Sequence, residues 1–481
     1  MRRTTLVRGA AAAALAALAP PLPRAAAAAP GALLARPQEA SRARASAAAQ
    51  APPPSEHPVL RAIASDVSAA RIEADIRRLV GFGTRHTLSD TVSQTRGIGA
   101  ARRWVFAELE RIGRACGGCL EVRYQRSTVG RTERIPAETE IVNVIAMQRG
   151  VSDPTRLLVM SGDIDSRVSD PLDAMSDAPG ANDNASGLAG VLEAARVLTR
   201  HRFAATIVYA ALSGEEQGLF GGRHMAHVAR EEGWRIEAVL NNDMIGNVAG
   251  IDGVLDNTTA RVFSEGTRAV ETEREARIRR FTGGEVDSPS RNLARRIDRL
   301  ADLYIPNLDV MMIYRLDRFG RGGHHRPFND EGFPAVRIME AHEDYRRQHQ
   351  DVRVEDGVEY GDRIEGVDFD YAARLTALNA VTLAALAWAP APPGDVRIRG
   401  AVSPSTTLSW SREDAPDVAG YRIYWRLTTS PTWDHALWVG DVGEFTLENL
   451  VIDNFFFGVS TASRAGFESP VVFPGPAGAF F

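Results

Sequence analysis

The sequence predicts an α/β fold, a three-layer sandwich around a mixed, largely parallel sheet, followed by an all-β immunoglobulin-like sandwich. Three observations carry that expectation. From residue 58 to 389, apolar strand-like runs alternate with helical patterns, as in a sheet with helices on both faces. Acidic residues recur where those runs end, which gathers them along one sheet edge. Beyond Pro390 to Pro393 the texture shifts to short alternating strands separated by turn residues.

The elements follow in order. MRRTTLVRGAAAAALAALAP has a basic start, then a short apolar run, and fits a secretory signal peptide over 1–29. Residues 30–57, rich in Ala, Pro and Arg, read as a disordered linker. IEADIRRLVGF and GIGAARRWVFAELERIG carry apolar residues at helical spacing. EVRYQ, EIVNVIAMQRG and TRLLVMSGDID read as strands, the last ending at Asp163 and Asp165. SGLAGVLEAARVLTRH reads as a strongly amphipathic helix opening just after Asp183. FAATIVYAALSG is an apolar strand that ends at Glu215 and Glu216, and a helix follows from about Leu219 to Glu232. IEAVLNNDMIG is a strand ending at Asp243. Residues 251–322 are less regular and rich in Arg, with helices expected in ETEREARIRRF and SRNLARRIDRLADLY. GFPAVRIME is a further strand, and FDYAARLTALNAVTLAALAWA a closing helix. In 390–475, TTLSWS, GYRIYWR and FFFGVSTAS are strands, with Trp410, Tyr421 and Tyr424 as core residues.

Composition excludes several classes of function. A chain of 481 residues with 44% apolar content is a globular protein of two or more domains. A net charge of -5 provides no basic field for nucleic acid. No later segment is apolar enough to span a membrane. The chain has no lysine, so Schiff-base and other lysine chemistry is excluded. Cys116 and Cys119, in CGGC, are the only cysteines; of the redox, metal and disulfide readings, a short-loop disulfide suits an exported chain. The expected location is secreted or periplasmic.

The acids carry the chemistry. Carboxylates gathered at strand ends repel one another and dehydrate at a cost unless cations sit among them. A pair of divalent metal ions is the simplest such cation, and it points to metal-assisted hydrolysis. Of two adjacent glutamates, one can bind metal while the other accepts a proton from water. Taken singly, Glu215, Glu216 and Asp183 could merely favour helix starts. Asp165 and Asp243 could cap turns. Jointly those readings strain.

The ordered set D-x-D, D-N-A-S-G, S-G-E-E-x-G, N-x-D and a late His resembles the co-catalytic dizinc exopeptidases. These include bacterial leucyl aminopeptidase, glutamate carboxypeptidase and the catalytically dead transferrin receptor. The likeness covers roughly residues 60–388; residues 390–475 similarly resemble a fibronectin type III domain. The resemblance implies two zinc ions and a metallopeptidase domain over 58–389. It implies Asp183 as the bridging carboxylate, Glu215 as general base and Glu216 as ligand of the second ion. Asp243 would bind the first ion, Asp165 would orient the first ligand, and His349 in YRRQHQD would be the last ligand. His324 and His325 compete for that last role, and with Arg321 and Tyr345 they are candidate pocket residues.

One departure stands out. The family's first ligand is a His in H-x-D-S, and this chain has Asp163 in DIDS. A first site of Asp163, Asp183 and Asp243 would be all oxygen, which suits Mn²⁺, Mg²⁺ or Ca²⁺. The resulting expectation is an exported metal-dependent exopeptidase, an aminopeptidase acting on peptides, with the β-sandwich as an accessory module for a surface or polymer. The alternatives are a one-metal enzyme like glutaminyl cyclase, and a non-catalytic receptor or adhesion relative.

Overall fold

The computed structural model describes residues 51–480. The expected signal peptide, and the expected linker up to residue 50, lie outside the described residues. An eight-stranded mixed sheet is the centre of the fold. Its strands are β1 (Leu120–Val129), β2 (Thr139–Gln148), β3 (Asp153–Asp163), β4 (Ala205–Leu212), β5 (Arg235–Asn242), β6 (Thr259–Ser264), β7 (Asp309–Ile313) and β8 (Ala335–Glu340). They lie in the order β1-β2-β4-β3-β5-β8-β6-β7. The central run β4-β3-β5-β8 is parallel throughout. The pairs β1/β2, β2/β4 and β6/β8 are antiparallel.

Alternation builds the two helical layers, because neighbouring strand residues face opposite ways. Leu158, Met160, Tyr209 and Ala211 pack under helices Ala185–Leu198 and Phe369–Trp388. Val159, Val208, Ala210 and Leu212 pack under helices Phe220–Glu231 and His325–Asp330. Burying each Val, Leu or Met among them contributes about 1.5–3 kcal/mol.

Two sequence expectations need correction. Helix Ala185–Leu198 is buried along its whole length. Its apparent polar face is an internal ion network: Arg196 meets Asp75 at 2.5 Å, Glu108 at 2.8 Å and Glu193 at 2.7 Å. Burial pushes the Asp75 carboxyl up to about 6, against the pull of Arg196. The irregular stretch 251–322 also contributes β6 and β7, which pair in parallel and extend the sheet. Both strands are short, and Arg261 interrupts the apolar pattern of β6.

Cys116 and Cys119 form a disulfide. Among the described residues no helix is long and apolar enough to cross a membrane. From Gly394 onward two three-stranded antiparallel sheets face each other. One holds β11 (Gly394–Arg399), β12 (Thr406–Ser411) and β15 (Glu444–Leu447). The other holds β13 (Val418–Leu427), β14 (His435–Gly440) and β16 (Phe455–Ser463). Between β8 and β11 a small hairpin, β9 (Arg353–Glu355) and β10 (Val358–Tyr360), follows His349. Trp410, Tyr421 and Tyr424 are buried between the C-terminal sheets or beneath them.

The C-terminal sheets do not hang from a free linker. Asp287 is fully buried, with Arg295 at 2.7 Å on one side and Arg426 of β13 at 2.7 Å on the other. Arg295 Nε donates to the Pro431 carbonyl at 2.7 Å, and Arg299 donates to the Tyr424 hydroxyl at 2.9 Å. At the N-terminal side His57 stacks on Phe467 at 4.1 Å.

Candidate metal centre

The parallel register brings the acids to one edge. Asp163 pairs with Leu212, and Asn242 pairs with Ile338, so β3, β4, β5 and β8 end together. Ligand sites of open parallel sheets lie beyond such carboxyl ends. Asn184 stitches that edge. Its amide donates to Asp163 Oδ2 at 2.6 Å and to the Asn242 carbonyl at 2.8 Å. Its oxygen accepts from Gly187 N at 3.0 Å, capping helix Ala185–Leu198. Gly187 has no alternative: a Cβ there would lie 2.3 Å from the Asn242 carbonyl oxygen. The peptide bond joining Asp183 to Asn184 is cis.

The glutamate pair is placed by a turn and a clamp. Gly214 adopts a left-handed conformation, φ 73°, and turns the chain from β4 into the short helix Glu215–Gly218. Asp165, fully buried behind it, accepts the backbone N–H of Glu215 at 3.3 Å and of Glu216 at 3.1 Å. Thr87 donates its hydroxyl to the same carboxylate at 2.9 Å. Asp165 therefore acts by holding the two glutamates. Burial and the Glu216 charge raise its carboxyl to about 6.

Three predicted ligands converge. One ligand atom from each of Asp183, Glu216 and His349 lies within 4.8 Å of the others. His349 Nε2 is 3.0 Å from Asp183 Oδ2 and 3.1 Å from Glu216 Oε2. Asp183 is held by Asp362, which accepts its backbone N–H at 2.6 Å, and by Gln348, which donates to Oδ2 at 3.2 Å. Arg167 pairs with Glu216 Oε2 at 2.9 Å and places Nη2 2.7 Å from His349 Nδ1. Against the pull of burial, the Glu216 and Asp183 carboxylates raise the His349 imidazole to about 9, which keeps a proton on Nε2 between them. A cation bound there would replace that proton. Two carboxylates and one imidazole, with further positions open, match the three-ligand pattern of catalytic zinc. The residues fit one ion.

Asp163 and Asp243, expected to hold the other ion, are placed differently. Asp163 Oδ1 meets His324 Nδ1 at 2.5 Å while its Oδ2 is taken by Asn184. Burial pushes the Asp163 carboxyl up to about 8 and the His324 imidazole down to about 4. Asp243 Oδ2 faces Arg337 Nη2 at 2.8 Å. Arg337 comes from β8, is fully buried, and also engages Asp317 at 3.1 Å and the Gly322 carbonyl at 2.7 Å. A protein cation thus stands where the all-oxygen site would need a metal. Among the described residues Asp183, Glu216 and His349 are the only such metal-ligand triad.

A cavity of about 570 Å³ opens over the centre. Asp183, Glu215, Glu216, Asp243 and His349 line it, as do Arg321 and Tyr345. His324 and His325, two of the expected pocket residues, are instead buried outside the lining: His325 Nε2 bonds the Leu316 carbonyl at 2.8 Å. Glu215 carries no metal-like contact. Burial, and then the Asp243 and Glu216 charges, raise its carboxyl well above the usual range.

Sequence reasoning missed Arg337, Arg167 and Asp362. Arg337 did leave a signal, since an arginine inside the buried strand AVRIME must find a partner. Asp362 sits in a loop whose pattern gives no hint.

Comparison with known proteins identifies the family. Residues 143–356 match the model of peptidase family M28. A protein of Pyrenophora teres f. teres named "Probable zinc metalloprotease" is 44% identical over 428 residues, 88% of each chain. A relative of the same description from Leptosphaeria maculans is 44% identical over 426 residues, 88% of this chain and 98% of that one. Among solved structures, LapB from Legionella pneumophila is 16% identical, with 69% of this chain and 76% of that chain covered and a TM-score of 0.49. Porphyromonas gingivalis glutaminyl cyclase is 18% identical, with 66% and 98% covered and a TM-score of 0.45. Structural likeness of that degree carries no functional weight. The match to the family and the extent of identity to these relatives together show that the chain belongs to peptidase family M28.

Proposed function

We propose that the chain is an exported metallopeptidase that trims peptides from an end, as an aminopeptidase, and that it works with one resident divalent ion. The observation that carries this reading is the convergence of Asp183, Glu216 and His349 beside an uncoordinated Glu215 in one cavity wall. Zinc suits the mixed oxygen and nitrogen donors. When bound, the ion supplies Lewis acidity to the scissile carbonyl and to water. The chain's own residues supply the rest. Glu215 accepts the proton of the attacking water and returns it to the leaving amine nitrogen. Burial raises its carboxyl, so it holds a proton more readily than a free glutamate, as a group that takes a proton and passes it on must. Asp165 fixes the backbone of both glutamates, so the base keeps its distance from the ligand.

The test is Glu215→Gln in the full chain. Metal content and melting temperature should stay as in the parent, while turnover of aminoacyl-arylamides and dipeptides should fall at least about 1000-fold. Retained turnover would remove Glu215 from the mechanism.

A single-ion centre also favours a second reading, cyclisation of an N-terminal glutamine. Release of pyroglutamate with no peptide cleavage would select it. The expected extension to a second ion, with a Mn²⁺, Mg²⁺ or Ca²⁺ preference at Asp163, gives way in this reading to the His324 and Arg337 contacts. We read the catalytic part as 58–389 and the β-sandwich, 390–475, as a fibronectin type III-like accessory module for attachment to a surface or polymer.

A further inference from the structure

The cavity over the metal centre is walled mostly by charge. Among the described residues, glycines aside, Leu219 and Tyr345 are its only apolar or aromatic side chains. A leucyl or phenylalanyl side chain entering it would find little surface to bury against. Six arginines stand in the same wall: Arg134, Arg167, Arg223, Arg318, Arg321 and Arg326. Which substrate such a wall favours depends on how many of these charges the chain itself matches.

Three of the six are matched. Arg167 meets Glu216 at 2.9 Å, and Arg318 and Arg321 meet Glu343 at 2.8 and 3.1 Å. Arg134, Arg223 and Arg326 have no carboxylate partner among the described residues. Arg134 Nη1 donates to the Glu216 carbonyl at 2.8 Å, Arg223 Nε to the Gly218 carbonyl at 2.9 Å, and Arg326 Nη1 makes a long contact of 3.4 Å to the Arg321 carbonyl. Such bonds aim a guanidinium without neutralising it. Arg134 and Arg223 are exposed and Arg326 is half-buried, and their remaining Nη atoms, unlike the Arg326 Nε, are not sealed in the interior. Arg223 lies in the first turn of helix Phe220–Glu231, and Arg326 in helix His325–Asp330. These helices touch where Gly222 backs onto the His324 ring; a Cβ on Gly222 would lie 2.5 Å from it. Arg223 and Arg326 therefore flank one side of the cavity, while Arg134 stands beside Glu216.

The acids of the wall do not cancel these three charges. Asp183 and Glu216 close on His349 at 3.0 and 3.1 Å, and Asp243 faces Arg337 at 2.8 Å. Glu215 is the proposed base. A carboxylate carried in by the substrate is the fitting partner for accessible guanidiniums that the chain leaves unmatched, because Arg–carboxylate bonds belong to the stronger class of hydrogen bond. We propose, resting on the peptidase reading above, that the site takes substrates with a carboxylate close to the scissile bond. Arg223 and Arg326 receive that carboxylate, and Arg134 adds to the positive field near Glu216. Its source is either an N-terminal Glu or Asp side chain or the C-terminal carboxylate of a dipeptide.

The experiment uses the full chain equilibrated with Zn²⁺. It compares glutamyl-, leucyl- and lysyl-arylamides, and Leu-Leu with Leu-Leu-amide. Glutamyl over leucyl by about tenfold or more in kcat/KM assigns the carboxylate to the N-terminal side chain; Leu-Leu over its amide by the same factor assigns it to the chain end. Either preference should shrink with added NaCl, because accessible charges are screened. Arg223→Gln and Arg326→Gln should each lower the preference about fivefold or more, mostly through KM, and a ratio taken within one variant cancels any general loss of activity. Arg223→Glu should turn the preference toward the lysyl substrate. A parent with neither preference, or a preference that survives intact in the double variant Arg223→Gln/Arg326→Gln, overturns the proposal and leaves the peptidase reading standing. A parent that cleaves none of these substrates removes the peptidase reading and this proposal with it.

Discussion

The acidic edge of the sheet divides into two halves that solve the same electrostatic problem differently. On one side Asp183 and Glu216 close on a single imidazole beneath an open cavity. On the other side Asp163 and Asp243 are met by His324 and Arg337, both fully buried. Clustered carboxylates need positive charge or must keep protons. In the proposed reading the first half leaves its positive charge to an exchangeable ion and keeps coordination positions for substrate. The second half settles the problem within the chain: Asp163, raised to about 8 beside a His324 lowered to about 4, keeps its proton, and Arg337 supplies the charge for Asp243. On that reading acid count alone does not give ion count; the partner on the neighbouring element decides.

That contrast can be broken most directly at His349. His349→Ala should empty the centre and lower turnover at least about 1000-fold, read by metal analysis and kinetics together. Metal content sharpens the contrast next. Full chain equilibrated with excess Zn²⁺ and desalted should carry one ion, and Asp163→Asn should carry one as well. Two tight ions in the parent, or loss of an ion in Asp163→Asn, would show that both halves bind metal; no ion in the parent would remove the peptidase reading itself.

Arg337→Met tests the built-in half. It leaves Asp243 and Asp317 buried without their cation and should lower stability by about 3–5 kcal/mol in denaturant unfolding. The smallest effect is in pH dependence of the metal-free protein. Asp163 rises from 3.8 to about 8 on folding, so the native state holds its proton and stability falls as pH rises across that window. His324 drops from 6.5 to about 4, which makes stability rise with pH below 6.5. The two slopes oppose each other at acid pH; from about 6.5 to 8 the Asp163 slope adds to those of Asp243, Glu265 and Glu340, also raised to about 8. The decline over that window should be shallower by about 1 kcal/mol in Asp163→Asn.

Much of the fold could be read from the sequence because its signals are local. Strand runs that end in acids, and helices that open after Asp183 or Gly214, follow from periodicity and turn chemistry. The metal triad could be read because Asp183, Glu216 and His349 sit in ordered motifs. What escaped is non-local. β6 and β7 are too short to show a period, and helix Ala185–Leu198 looks amphipathic because its partners, Asp75 and Glu108, lie on other helices. Arg337 belongs to the same class. Its meaning depends on Asp243 and Asp317, which only the folded sheet brings near.

The Asp287 junction constrains how this protein can be divided. Arg295 reaches Asp287 from its own side, but Arg426 arrives across the seam from β13. Nicking the backbone near Pro392 would leave the two fragments clasped together. Pulling them apart would strip a buried carboxylate of half its counter-charge and bare the aromatic surface around Phe456 and Phe473. The C-terminal sheets therefore work as masonry for the peptidase portion, and a gene shortened at that point should yield aggregate in place of a smaller enzyme.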